Sequence, residues 1–271
     1  MFERPDESYI VSDDQIDGII NDIANPLTAI TSFFKKGSRI LDLGAGNGNL
    51  ARVSKKLLLS VEIDGVEPNA IAASLAKPYY KRMYVGYAEE IYENLNIIEY
   101  DYIVLADVLE HIADPFVFLN NLVGKLNEKQ KVIISIPNVL FGGLRLSIMN
   151  GNFNYVDSGL LEKTHLRFFT RETIVELFKR VNLFPSNIFY LQRSFYRVEF
   201  PQKVLKASLF SIIKLSLSED ARAYQYVICF EKTPSFTKVY YKGIGFYKIL
   251  VDYILFTKPV RFIVRLIKKY K

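Results

Sequence analysis

The sequence predicts an α/β protein built on a doubly wound, mostly parallel sheet of seven strands. Short apolar segments alternate with helical segments from residue 39 to residue 136. The strand segments are apolar on both faces, which is typical of parallel strands covered by helices on both sides. A composition of 50% hydrophobic and 24% charged residues is that of a globular chain and excludes fibrous, low-complexity and repeat architectures.

The individual elements follow from the apolar periodicity and the capping residues. Strands are predicted at 39–43, 61–66, 82–85, 101–106 and 131–136, with helices near 48–58, 69–77, 88–94 and 115–126. Thr170 is placed to cap a further helix, and two more strands are predicted near 187–192 and 223–231. The long connection between these two strands, with a predicted helix at 202–215, indicates a functional insertion at about 194–222.

The chain divides into a body and two helical appendages. Ser12 and Gln15 have the spacing of a capping box, and Ile16, Ile19, Ile20 and Ile23 follow at helical spacing. We therefore expect an N-terminal helical cap at 1–38, the α/β body at 39–232 and a C-terminal helical tail at 233–271.

The formal net charge of +6 is unevenly distributed along the chain. Residues 236–271 hold nine basic residues and one acid, Asp252, a net charge of +8 that leaves −2 for residues 1–235. A mildly acidic body argues against a nucleic-acid partner, because a basic binding surface would belong to the folded domain. The single cysteine, Cys229, excludes an internal disulfide. Without an apolar leader or a long apolar stretch, the expected location is cytoplasmic.

The tail is predicted to end in a basic amphipathic helix that begins at Pro259. Its basic face carries Arg261, Arg265 and Lys268, and Val260 and Ile263 lie on the opposite face. This composition suits an anionic membrane surface, so residues 236–271 are expected to make a peripheral contact at the inner face of the membrane. Packing on the body, or on a second copy in a homodimer, is the alternative.

A glycine-rich loop follows the first predicted strand. It contains Gly44, Gly46 and Gly48 and leads at once into a helix. Such glycines let the backbone turn sharply and approach a ligand at the carboxyl end of the strand. A dinucleotide-binding loop would have its third glycine at Asn49, and a P-loop would have a lysine after the glycines. Both of those nucleotide-binding classes are excluded.

The stretch from Arg39 to Asn49 closely resembles class I S-adenosylmethionine-dependent methyltransferases. The resemblance implies S-adenosylmethionine as the cofactor, with Asp42 and the glycines holding its methionine end. Glu67 follows the second strand, 23 residues after Gly44, and is expected to accept hydrogen bonds from both ribose hydroxyls. The alternative for Glu67 is an exposed acid at the start of a helix, favoured there by the helix dipole.

Residues 84–90 resemble the family segment that contacts adenine. The resemblance implies a contact through the backbone amide of Ala88. Tyr87 stands where the family commonly has an aspartate, so the carboxylate that would accept from the adenine amino group is missing, and ring contact from Tyr87 is expected in its place.

Three later segments resemble the subgroup of ubiquinone-biosynthesis O-methyltransferases and of enzymes encoded with glycan-synthesis functions. They lie at 100–115, 131–138 and 164–170. The chain has two histidines, His111 and His165, and both lie in these segments. A neutral imidazole at His111 can accept the proton of an acceptor hydroxyl. Both histidines are predicted catalytic residues, and hydrogen bonding to loop backbone is the alternative role for each.

The remaining site residues are predicted around these histidines. Asp107, at the end of the fourth strand, is expected to present its backbone to the cofactor. Asp107, Glu110 and His111 also form a candidate Mg²⁺ cluster, because the ubiquinone-type enzymes carry a similar segment. Hard cations usually take more oxygen ligands than this, so no metal ligand is assigned. The predicted acceptor contacts, on loops after strands, are Arg145, Arg167 and Phe169.

The resemblance implies a methyltransferase that uses S-adenosylmethionine, and O-methylation of a small hydroxylated, glycan or lipid-linked acceptor is the leading expectation. One alternative is an N-methyltransferase that acts on a small molecule or a protein. The fourth strand lacks the Asp/Asn-Pro-Pro-aromatic segment with which amino-methylating enzymes grip a planar base. A second alternative, from a different class, is a noncatalytic membrane-associated scaffold that keeps the fold.

Overall fold

A computed structural model describes residues 11–91, 94–200 and 207–256. Eight strands form one sheet in the order β3-β2-β1-β4-β5-β7-β6-β8. The strands are β1 Arg39–Leu43, β2 Glu62–Glu67, β3 Arg82–Val85, β4 Tyr102–Ala106, β5 Lys131–Pro137, β6 Phe184–Gln192, β7 Ala223–Glu231 and β8 Lys238–Gly243. Every neighbouring pair is parallel except the two that involve β7, which runs antiparallel to β5 and to β6.

Helices cover both faces of this sheet and extend beyond its last strands. They are α1 Asp13–Asn21, α2 Pro26–Thr31, α3 Asn49–Lys56, α4 Ala70–Ala76, α5 Ala88–Ile91, α6 Pro115–Gly124, α7 Gly142–Met149, α8 Arg171–Lys179, α9 Leu209–Leu217, α10 Glu219–Arg222 and α11 Phe246–Phe256. Ser12 and Gln15 form the predicted capping box at the start of α1, and Asn25 and Pro26 begin α2. Of the helices just named, each is too short to cross a bilayer.

The prediction of seven strands is wrong by one, and the additional strand falls in the segment assigned to a helical tail. Residues 238–243 form β8, which pairs with β6 in parallel. Two aromatic contacts explain the pairing: the Tyr240 ring stacks on Phe189 with centroids 4.6 Å apart, and the Tyr241 ring lies 5.0 Å from Tyr190. The predicted terminal helix from Pro259 lies outside the described residues.

The hydrophobic core has three parts. Alternate residues of the central strands face opposite sides of the sheet, so Leu41 and Ile103 belong to one buried cluster while Ile40 and Val104 belong to the other. A third cluster lies beyond β5, and it is built from α7, α9, α11 and the segment after β6. The insertion and the start of the tail therefore share a core of their own.

Candidate active site

The glycine loop turns directly toward the end of β2. The amides of Gly44 and Ala45 both donate to the carbonyl of Val66, each at 2.9 Å. Gly44, Gly46 and Gly48 all adopt positive φ values, of 91°, 52° and 85°, a conformation that costs residues with a Cβ about 1–2 kcal/mol. The three predicted glycines thus satisfy a backbone requirement, and Gly48 then serves as the N-cap of α3.

Two of these glycines have different surroundings. A Cβ at Gly44 would lie 2.5 Å from Cγ2 of Val108, the second residue after β4, so packing closes that position. A Cβ at Gly46 would have no described atom within 4 Å. Gly46 therefore faces open space at the carboxyl edge of the sheet, where a ligand can approach the backbone.

The Glu67 carboxylate joins the loop to the end of β2. Its Oε2 accepts from the amide of Gly46 at 2.7 Å and its Oε1 accepts from the amide of Asn69 at 3.0 Å. The residue is only 9% exposed, which does not match the alternative of an exposed helix-start acid. Each carboxylate oxygen has a second lone pair, so the group can still accept from two hydroxyls.

Asp42 is buried below the loop, with 1% of its surface exposed. Its Oδ2 accepts from the Tyr80 hydroxyl at 2.6 Å, and its Oδ1 has no hydrogen-bond partner within the described part of the chain. Burial raises the pKa of Asp42 to about 7, although the bond from Tyr80 acts in the opposite direction. A buried carboxylate oxygen without a partner fits the ammonium of an amino-acid ligand.

The predicted adenine segment, residues 84–90, lies beside Glu67 at the end of β2. The amide of Gly86 donates to the backbone carbonyl of Glu67 at 3.1 Å, which fixes the turn after β3. Ala88 begins α5 and is buried, whereas the Tyr87 side chain is 44% exposed. The segment is thus connected to the ribose side of the site, and its contact with adenine stays a prediction.

Asp107 follows β4 in a strained conformation with φ of 55°. Its amide donates to the carbonyl of Ser135 at 3.2 Å, and its Oδ1 accepts from Nε2 of Gln225 at 2.5 Å. The residue is thereby held at the carboxyl edge by bonds to strands β5 and β7. Sequence analysis missed both Gln225 and Tyr80, because neither belongs to a local motif with its partner.

The two histidines lie together although 54 positions separate them. Nδ1 of His111 is 3.0 Å from the carbonyl of Thr164, and Nδ1 of His165 is 3.1 Å from the carbonyl of Leu160. The ring centroids are 4.8 Å apart. Since a carbonyl only accepts, each Nδ1 must carry the hydrogen, which leaves Nε2 of each neutral ring as the proton acceptor. Both histidines therefore bond to loop backbone through Nδ1.

Glu110 completes this cluster. Its backbone carbonyl accepts from the amides of Leu166 at 2.7 Å and Arg167 at 3.0 Å, and its Oε1 lies 3.9 Å from Nε2 of His165. The ligand atoms of Glu110, His111 and His165 all lie within 4.8 Å of one another.

This geometry corrects the predicted metal cluster of Asp107, Glu110 and His111. The side chain of Asp107 is bonded to Gln225, and His165 takes its place in the cluster. Two imidazoles and one carboxylate are a ligand set for transition metals, whereas Mg²⁺ prefers oxygen ligands. Mg²⁺ is therefore not supported by the donor set.

The predicted acceptor contacts occupy three different environments. Arg145 is exposed on α7. Arg167 is also exposed, and its Nε and Nη2 both donate to the carbonyl of Ala113. This contact ties the segment 164–170, which contains His165, to the segment after β4. Phe169 is 8% exposed and packs in the core against the sheet. This placement favours a packing role for Phe169 over the predicted acceptor contact.

Strand order, glycine loop and buried carboxylates together define the class of protein. The sequence profile of the methyltransferase domain family matches residues 18–184. The chain belongs to the class I S-adenosylmethionine-dependent methyltransferase family.

Two similar proteins among those of assigned function are ubiquinone biosynthesis O-methyltransferases. The protein from Nitrobacter winogradskyi is 28% identical over 152 residues, which cover 54% of this chain and 57% of that protein. The protein from Rickettsia bellii is 28% identical over 148 residues, which cover 53% of this chain and 60% of that protein. The match thus spans less than two thirds of these relatives.

Solved structures share the fold at low sequence identity. A SAM-dependent methyltransferase from Thermotoga maritima, described as a possible histamine N-methyltransferase, has a TM-score of 0.54 and 15% identity, covering 81% of this chain and 94% of its own. The plantazolicin methyltransferase in complex with SAH and a triazolic desmethylPZN analog has a TM-score of 0.51 and 16% identity. The match covers 82% of this chain and 88% of that one.

Proposed function

We propose that the protein transfers a methyl group from S-adenosylmethionine to an oxygen of a small hydroxylated, glycan or lipid-linked acceptor. The observation that carries the proposal is the bond from the Gly46 amide to Glu67, which sets a carboxylate beside an open glycine loop. Family membership supports the cofactor, and the two O-methyltransferase relatives support transfer to oxygen.

The cofactor fits the chemistry of the residues on its side of the site. It has no phosphate, and its polar groups are an ammonium, a carboxylate, a ribose and an adenine. Asp42 offers a buried carboxylate oxygen to the ammonium, and Glu67 offers lone pairs to the ribose hydroxyls. Asp107 directly follows β4 and bonds to the end of β5 at the same edge of the sheet. When bound, the cofactor supplies a sulfonium methyl group.

The chemical step needs alignment first and a base second. In-line displacement requires the acceptor oxygen, the methyl carbon and the sulfur to lie in a row, which is a task of positioning. The acceptor hydroxyl loses its proton as the carbon–oxygen bond forms and the carbon–sulfur bond breaks. Nε2 of His111 can take that proton, because its Nδ1 hydrogen is already bound to the Thr164 carbonyl. The His165 ring lies against the His111 ring, with centroids 4.8 Å apart.

Calorimetry on a matched pair of variants tests the cofactor assignment. Glu67→Ala is expected to weaken S-adenosylmethionine binding by about 1–3 kcal/mol, because two hydroxyls lose a charged acceptor. Glu62→Ala, at the exposed start of the same strand, is the control and should bind normally. Titration with NAD should give no heat of binding. Unchanged affinity in folded Glu67→Ala would move the ribose site elsewhere.

The acceptor class is tested by turnover. Radiolabelled methyl transfer is measured into an extract that has been separated into lipid, glycan and protein fractions. Label in an alkali-stable ether of the lipid or glycan fraction is the expected result. Label confined to protein amines would favour the N-methyltransferase alternative, and cofactor binding without any transfer would favour the noncatalytic scaffold.

A further inference from the structure

The insertion between β6 and β7 has a partner that the sequence did not predict. Its helix α9 packs against α11 of the tail segment, and both helices contribute to the third core cluster through Ile212, Leu215 and Ile249. The two segments therefore form one structural unit, although β7 and β8 separate them along the chain.

This helix pair exposes an unusual number of large apolar side chains. On α11, Tyr247, Val251 and Leu255 recur every four residues and lie on one stripe, opposite the buried Ile249. The exposed apolar side chains of α9 and α11 are Leu209 (50%), Phe210 (76%), Leu217 (66%), Tyr247 (82%), Val251 (46%), Ile254 (52%) and Leu255 (44%). We call these seven residues the apolar face. Exposed apolar side chains grouped on two packed helices are typical of an interaction surface.

A charge pair fixes the orientation of α11 and so of the apolar face. The Asp252 carboxylate is fully buried and accepts from Nε and Nη2 of Arg197, both at 2.8 Å. Arg197 lies in the segment that follows β6. Because the only acid of α11 points inward, the opposite stripe of the helix is held outward.

The strand directions place this unit at the same edge of the sheet as the candidate active site. Strands β1, β4 and β5 run in the same direction. Because β7 is antiparallel to both β5 and β6, β6 has the same direction as β5, and β8 is parallel to β6. Their carboxyl ends, at Gln192 and Gly243, therefore lie at the edge where the glycine loop lies. Arg197 and α11 both follow those ends along the chain.

The charges near the apolar face select its occupant. Lys214 on α9 and Lys248 on α11 are exposed, and the two helices contain no acid other than the paired Asp252. The nearby Glu219 accepts from the Tyr241 hydroxyl. Residues 257–271, which continue the chain from α11, contain six basic and no acidic residues. A second copy docked on the same face would bring Lys214 and Lys248 of one chain toward those of the other, so like-charge repulsion disfavours it.

We propose that the apolar face, with Lys214 and Lys248 beside it, docks on an anionic lipid bilayer. Apolar side chains enter the boundary between headgroups and acyl chains, and lysines meet the negative headgroups. The described part of α11 has 11 residues and extends about 16 Å, against about 30 Å for the hydrocarbon core, so the attachment proposed is a peripheral one. This proposal concerns attachment and stands apart from the methyl transfer proposed above.

Vesicle sedimentation of the full chain tests it. Vesicles of phosphatidylcholine alone are compared with vesicles of equal parts phosphatidylcholine and phosphatidylglycerol. The variant Phe210→Ser/Tyr247→Ser removes the two most exposed members of the apolar face. Ile98→Ser/Val117→Ser, at 62% and 51% exposure on other parts of the surface, is the matched control. Thermal melts confirm that each variant is folded.

The full chain is expected to sediment with the anionic vesicles only, and added salt should release it. Phe210→Ser/Tyr247→Ser should lower the bound fraction at least about fivefold while the control binds as the full chain does. Failure of the full chain to bind, or unchanged binding of that variant, would overturn the proposal. If light scattering instead shows a dimer that the same variant dissociates, the apolar face joins two copies and the lipid proposal is wrong.

Discussion

The cofactor side and the acceptor side of the candidate active site are assembled over different distances along the chain. On the cofactor side, the Gly46 amide and the Glu67 carboxylate are 21 positions apart and belong to one strand-helix-strand unit. On the acceptor side, His111 bonds to the carbonyl of Thr164 over 53 positions, and Arg167 donates to the carbonyl of Ala113 over 54. One side is a local motif, and the other exists only in the complete fold.

Because of this difference, substitutions on the cofactor side and on the acceptor side should change different measured quantities. Substitutions in the glycine loop should change cofactor affinity, because that site is already built by β1, β2 and the turn between them. Substitutions around the histidines should change turnover and leave affinity intact, because His111 and His165 bond to the carbonyls of Thr164 and Leu160, outside the glycine loop. The variants below test this division, beginning with the largest effect.

His111→Ala is expected to lower turnover on the true acceptor by roughly 10²–10⁴-fold, because a positioned base is removed. Cofactor affinity, measured by calorimetry on the same preparation, should stay within about twofold of the original, since Nδ1 of His111 bonds to the carbonyl of Thr164, which is not part of the glycine loop. A fall in turnover of less than about tenfold would mean that alignment suffices and that the ring serves the loop structure.

Gly46→Val should weaken cofactor binding by more than about 100-fold, because its side chain enters the open space where the backbone must meet the ligand. Gly37→Val is the matched control, since Gly37 also has a positive φ and no described atom within 4 Å of its Cβ. Both variants carry the same backbone strain of about 1–2 kcal/mol. Equal affinities in calorimetry for the two variants would show that the loop is not the binding surface.

Cofactor affinity should depend on pH through Asp42. Its pKa of about 7 means that the carboxyl is neutral in more acidic solution and cannot pair with an ammonium. Affinity should therefore fall by up to about tenfold per pH unit below about pH 7. Asp42→Asn, measured by calorimetry from about pH 5.5 to about pH 7.5, should bind weakly with little pH dependence.

The same group has the opposite effect on stability of the cofactor-free protein. A carboxyl whose pKa is raised by folding favours the folded state below about pH 4 and loses that contribution as pH rises through about 7. The free energy of unfolding should thus decline across this window more in the original chain than in Asp42→Asn. Tyr80→Phe removes the bond that opposes the shift, so it should move the midpoint of cofactor binding to higher pH.

The smallest effect is expected at α11. This helix is held by the bond between Arg197 and Asp252, which are 55 positions apart. Arg197→Ala should lower the free energy of unfolding by about 1 kcal/mol, a modest value because half of the arginine side chain is exposed. Lys248→Ala, which removes an exposed amine 3.9 Å from the same carboxylate, should change stability by less than about 0.5 kcal/mol. Equal values from chemical unfolding would show that the charge pair does not anchor the helix.

The sequence was sufficient where short-range pattern decides the structure. The first five strands, the capping box at Ser12 and the three left-handed glycines lie where apolar periodicity and turn chemistry predicted them. Glu67 also lies at the end of β2, as predicted, and accepts from the Gly46 amide. Each of these features depends on residues within one strand-helix unit, so the linear pattern contains the information.

The sequence was insufficient where distant segments meet. Strand β8 was assigned to a helical tail because Lys238-Val-Tyr-Tyr-Lys-Gly243 reads as a basic aromatic stretch until β6 supplies Phe189 and Tyr190 as partners. Phe169 was expected to meet the acceptor, and the structure places it in a core cluster, a burial that its position in a local segment does not reveal. Tyr80 and Gln225 gave no signal at all, since the carboxylates they bind are 38 and 118 positions away.

Strand β8 also changes how the protein can behave in a crowded solution. Among the strands that the structure describes, it forms one edge of the sheet, and the short strand β3 forms the other. Lys238 and Lys242 are exposed on β8, and a neighbouring chain that paired there in register would bring lysine against lysine. On β3, Arg82 is tied to the buried Asp64 and only four residues are available for pairing. Both edges are thus poor templates for strand addition, which protects the folded chain against aggregation through its sheet.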